Sequence, residues 1–135
     1  VVEAEAGLLE ALEDNDPDIR IVACKAWGTR LNVTAKTALL KTVRSDQDSD
    51  VQSAALRALG NFKGQEVFKE LRTALESRDP AVQYAGIQGL RKLTGEDWGE
   101  DPETWIAGLE GQSPDIVHDG QESFFDALHP RNLIR

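Results

Sequence analysis

Two histidines, one cysteine and three alternating aspartates are the residues of this 135-residue chain best equipped for chemistry. His118 and His129 each lack a second His or Cys at a metal-ligand spacing. His118 with Asp119 could orient an imidazole, but the pair reads as solvated loop. Asp46, Asp48 and Asp50 alternate like the start of a Ca²⁺ loop, without the glycine and the later bidentate glutamate that such a loop needs. A nucleophilic thiol wants an accessible, electropositive setting; Cys24 instead shares an apolar column with Leu56 and Ile87 and reads as core. No Gly-rich phosphate loop or nucleophile elbow occurs. The expectation is a protein with no catalytic residue, no cofactor-binding residue and no metal site.

The elements that carry these residues declare themselves by repetition. Asp16–Gly28, Asp48–Gly60 and Asp79–Arg91 align without gaps, at offsets of 32 and 31 residues. Such a period is the signature of stacked repeats. Asp16, Asp48 and Asp79 can accept the orphan N–H groups of a helix start. Pro17 and Pro80 follow at the first helical position, where the missing N–H costs nothing. Ile19, Val22, Ala23 and Ala26 recur as Val51, Ala54, Ala55 and Ala58, and as Val82, Ala85, Gly86 and Gly89. This is one helix face, small enough for neighbouring helices to approach closely. A second helix precedes each: Leu8, Leu9 and Leu12 match Leu39, Leu40 and Val43, with Phe68, Leu71 and Leu75 in the third unit. Each unit is therefore a hairpin of a helix A and a helix B, which buries its apolar face only by stacking on its neighbours.

The pattern Asp-Pro-x-Val-Arg-x-x-Ala-x-x-Ala-Leu-Gly resembles the second helix of a HEAT repeat, in the short bacterial form also found in phycobilin lyase subunits. Asp16–Gly28 carries it most fully, with Arg20 in place; Gln52 and Gln83 stand where the family usually has Arg. The resemblance covers residues 4–95. It implies an all-α, right-handed α-solenoid of about three HEAT-like hairpins, with units near 4–28, 34–60 and 66–95. It also implies a surface for protein binding lined by the B helices.

Residues 96–111 look like the closing segment of such a stack, with a short helix after Asp101-Pro102 and Trp98 and Trp105 covering the terminal apolar face. This gives a repeat domain over 1–111. The tail 112–135 lacks the repeat and reads as extended, with a short amphipathic helix that groups Phe124, Phe125 and Leu128. That group would pack on the stack or dock on a partner.

Composition narrows the function further. The net charge of −9 disfavours general binding to nucleic-acid phosphates, and no apolar run approaches the roughly 20 residues of a membrane span. The charge is also zoned. Residues 1–18 hold seven acids and no base, residues 19–93 thirteen bases and seven acids, and residues 94–111 six acids and no base. A soluble protein is expected, cytoplasmic or, if Val1 follows signal cleavage, exported. The basic middle supplies a candidate ridge: Ile21, Ser53 and Tyr84 in one column, Lys25, Arg57 and Gln88 four residues on, and Arg91 one turn further. The expected function is a non-catalytic scaffold or accessory subunit in a larger complex, binding an acidic, partly apolar protein or peptide through this ridge or the tail. The family resemblance also admits a lyase- or chaperone-like accessory of a cofactor-containing enzyme and, less readily, a nucleic-acid-binding HEAT-like protein.

Overall fold

The structure, a computed structural model, describes residues 3–110. Within them seven helices follow one another: α1 (Glu3–Ala11), α2 (Pro17–Trp27), α3 (Val33–Ser45), α4 (Ser49–Leu59), α5 (Gln65–Ala74), α6 (Pro80–Thr94) and α7 (Pro102–Glu110). The described residues are all helix and connection, stacked as a solenoid. The hairpins are α1–α2, α3–α4 and α5–α6, and α7 leans on α6.

The B helices start as the sequence expects. The side chains of Asp16, Asp48 and Asp79 accept backbone N–H groups of Asp18, Asp50 and Ala81, respectively. Such a cap stabilises a helix by about 1 kcal/mol. Behind each cap the A–B turn is built the same way three times. Asp14, Asp46 and Ser77 accept from the backbone N–H of Asp16, Asp48 and Asp79. Arg20, Gln52 and Gln83, each six residues further on, then donate to the carbonyls of those same turn residues at 2.8, 2.6 and 2.7 Å. The two glutamines thus keep the brace that Arg20 makes within its hairpin. Only Arg20 is long enough to add a fork to the next unit, onto Asp46 at 2.8 and 3.2 Å.

The stack closes where the B helices meet. α4 lies between α2 and α6, and Val51, Ala54, Ala55, Leu56, Ala58 and Leu59 are all buried. Its contact with α6 is backbone on backbone: a Cβ added at Gly60 would sit 2.7 Å from the Gly89 carbonyl oxygen. Helix α2 differs from its equivalents. Ile19 and Val22 are 42% and 65% exposed, whereas Val51, Ala54, Val82 and Ala85 at the same positions are buried. In α4 and α6 those residues face the preceding B helix; among the described residues nothing lies on that side of α2. The expected single buried face of the first unit is therefore reduced to Ala23, with Ala26 half-buried.

The far end is covered. Trp105 is fully buried and donates from Nε1 to the Gly99 carbonyl at 2.8 Å. Trp98 packs on it at 4.9 Å between ring centroids. The residues beyond 110, including the expected amphipathic group Phe124, Phe125 and Leu128, lie outside the described residues.

Two glycines separate packing from conformation. Gly60→Ala forces α4 and α6 apart against backbone, so a loss of about 3 kcal/mol is expected. Gly95, the left-handed C-cap of α6 at φ 76°, has open space around it, and Gly95→Ala should cost only about 1 kcal/mol. Urea denaturation of the two variants measures the difference.

Candidate functional site

Helix register decides which ridge residues reach solvent. Along α4, Ser53, Leu56 and Gly60 share one face, and the Gly89 backbone lies against both Leu56 and Gly60. Ser53 therefore faces α6 rather than solvent, and its side chain is buried, at 3% exposure. The expectation of Ser53 on an outward ridge is corrected: that column points at the next B helix wherever one follows. Ile21, the same position in α2, is accordingly half-buried against the core. Tyr84, the same position in the last B helix, remains exposed at 40%.

Arg91, expected to extend the ridge, is engaged within the chain. Its Nε donates to Asp97 at 3.0 Å and Nη2 to the Gly99 carbonyl at 3.0 Å. It therefore fastens the connector that carries Trp98. The Gly99 N–H and Arg91 together hold the Asp97 carboxyl below its usual range.

The second column keeps its place. Lys25 is exposed, and Arg57 and Gln88 are half-buried, with Arg57 Nη1 donating to Gln88 Oε1 at 3.4 Å. Two residues that the sequence reading did not single out complete the group. Lys92 reaches back from α6 and donates from Nζ to the Arg57 carbonyl at 2.8 Å. Asn61 donates to the Gly28 carbonyl at 3.1 Å. Lys25, Arg57, Asn61 and Lys92 line a cleft of about 220 Å³ across the C-terminal turns of α2, α4 and α6, floored by Gly28, Ala54 and Ala58. Asn61 and Lys92 are one repeat apart, so following the Lys25–Arg57–Gln88 column one further turn would have found them.

The electrostatics of the cleft are one-sided. Among the described residues no carboxylate lies within ion-pair distance of Lys25, Arg57 or Lys92. Several other basic side chains of the stack are matched, Arg20 with Asp46, Arg30 with Glu5, Lys36 with Glu66 and Arg44 with Glu70, while Lys63, Lys69 and Arg78 have no such ion pair among the described residues but do not line the cleft. Desolvation, and then the neighbouring Arg57 charge, pull the Lys92 ammonium below the usual lysine range. Both effects act against its positive form, and a bound anion would reverse the second.

A larger cavity, about 690 Å³, opens between the first two hairpins. Its wall mixes apolar Leu9 and Leu12 with both signs of charge, Glu13, Arg20, Lys41 and Asp46. Arg20 and Asp46 are already paired there, so it offers less unspent charge than the cleft.

Cys24 is fully buried, and desolvation, followed by the field of Asp46, pushes its thiol up to about 12. This favours packing and leaves negligible thiolate at neutral pH. Among the described residues no group of three His, Cys, Asp or Glu side chains converges as a metal site would require. No described helix is long and apolar enough to cross a membrane.

Two measurements follow. The Ser53 hydroxyl is buried without a hydrogen-bond partner. Ser53→Ala should therefore raise stability by about 1 kcal/mol in chemical denaturation. Because the Cys24 thiol ionises in the unfolded chain first, its contribution to stability is complete below the ordinary thiol pKa of 9.0 and is lost as pH rises toward about 12. At neutral pH, thiol-reactive dye should label native protein far more slowly than denatured protein.

Comparison with known proteins agrees with this architecture. A search of curated proteins finds no match. The family model for HEAT repeats matches residues 36–104, spanning the second and third hairpins and reaching α7, where the Gly60–Gly89 approach and the unpaired cations of Arg57 and Lys92 also lie. The chain belongs to the HEAT-repeat family.

Proposed function

We propose that the protein is a non-catalytic interaction scaffold or accessory subunit that binds an acidic, partly apolar protein segment along the B-helix strip formed by Lys25, Arg57, Gln88 and Lys92, with Tyr84 and Ile21 beside it. HEAT repeats generally mediate protein–protein contact, which sets the class of function. The observation that carries the finer reading is the cluster of cations left without carboxylates in a chain of net charge −9. An isolated surface charge gains little from one exposed ion pair, but several unmatched charges of one sign steer and select a partner of the other. Tyr84 adds an exposed aromatic of the kind enriched where proteins meet.

Partners co-purified with the tagged full chain and identified by mass spectrometry provide the test. The double reversal Lys25→Glu with Arg57→Glu should weaken the captured partner at least about tenfold, equivalent to about 1.4 kcal/mol. It should shift the melting temperature by no more than a few degrees, and the wild-type affinity should fall as salt rises. Unchanged affinity in the folded double variant would place the partner elsewhere.

A further inference from the structure

We infer that the cleft among Lys25, Arg57 and Lys92 is a binding site for a phosphate group. This deepens the scaffold reading and rests on it for its biological setting, but the chemistry stands on the cleft itself. Three cationic residues, one from each B helix, line a single space of about 220 Å³. Of the nearby helix-end carbonyls, that of Gly28 accepts from the neutral Asn61, and that of Arg57 accepts a single N–H of Lys92.

The donors that remain are unspent. The Lys92 ammonium has N–H groups beyond the one aimed at Arg57, the Lys25 ammonium makes no hydrogen bond to another described residue, and the Arg57 guanidinium makes only the long bond to Gln88. A single carboxylate brings one charge and two oxygens in one plane. A phosphate monoester brings a charge of about −1.5 to −2 and three acceptor oxygens in different directions. It therefore matches three donors arriving from three helices, and Arg suits its oxygens with a planar fork. The floor of Gly28, Ala54 and Ala58 lets a compact group approach the backbone, because the close B-helix packing permits only small residues there.

The chemistry has two sources, a free phosphate and a phosphorylated side chain of a partner segment. The full chain, labelled with ¹⁵N, is titrated at low ionic strength with inorganic phosphate. Further titrations use a short neutral peptide bearing phosphoserine, the same peptide unphosphorylated, and acetate. Saturable shifts are expected at the amides of Lys25, Arg57, Asn61 and Lys92 with both phosphate ligands, and at least about tenfold weaker binding of acetate and of the plain peptide. A stronger response to the peptide than to free phosphate identifies the partner side chain as the source; the reverse identifies the free anion.

Arg57→Gln should weaken phosphate about tenfold, while Lys92→Arg, which keeps the charge and the reach to α4, should stay within about threefold. Circular dichroism confirms that both variants are folded. Absence of saturable binding, equal binding of acetate and phosphate, or an unaffected Arg57→Gln variant would overturn the site. If phosphate fails here while the double charge reversal still releases the captured partner, the phosphate site is lost and the scaffold reading survives.

Discussion

Everything in this protein depends on how closely α2, α4 and α6 can lie side by side. No hairpin of this size buries enough apolar surface alone, so the core exists only between units. The interhelical seam is lined with Ala, Gly and Ser: Ala54 and Ala58 on one side of α4, Ser53 and Gly60 on the other, and Gly89 on α6. Where Gly60 meets Gly89 there is no room for a methyl group. The large side chains, Leu56, Leu59, Phe68, Leu71, Ile87 and Leu90, join in one buried cluster shared by the hairpins. Polar ties hold the register from outside this core, with Arg20 on Asp46 between the first two units and Lys36 on Glu66 between the second and third.

The same seam produces the candidate interface. A helix clasped on two sides retains a narrow solvent-facing line, and on α4 that line carries Asp50, Arg57 and, just past its end, Asn61. Repeating it on α2 and α6 brings Lys25, Gln88 and Lys92 alongside. Each cation sits near the last turn of its helix, where the partial negative charge of the helix end makes a positive group tolerable. The outcome is a cluster of cations at the C-terminal end of that line, in a chain of net charge −9, held in place by backbone packing rather than by its own ion pairs.

Much of this was readable in the residues because a repeat states its own register. The three Asp caps and the paired helices follow from aligned positions and simple capping chemistry, and the closing tryptophans from the likeness of residues 96–111 to the end of such a stack. The errors arose where equivalent positions have unequal surroundings. Ser53 and Tyr84 share a column, yet α6 covers the first and no further B helix of the described stack covers the second. Ile19 and Val51 share another, yet only Val51 has a helix on its outer side. Arg91 looked like one more ridge cation because the contact that occupies it, Asp97 and Gly99, lies in the non-repeating connector. At the positions of Gln52 and Gln83, where the family usually has Arg, the bond to the turn carbonyl is kept and the fork onto the next unit's Asp is not.

The most direct measurement of the strip as the working surface is amide hydrogen exchange of the full chain with and without its captured partner. Slowed exchange should concentrate in the last turns of α2, α4 and α6, around residues 25, 57–61 and 88–92, with α1, α3 and α5 unchanged. Protection confined to α1, α3 and α5, with those B-helix turns exchanging as in the free protein, would contradict it.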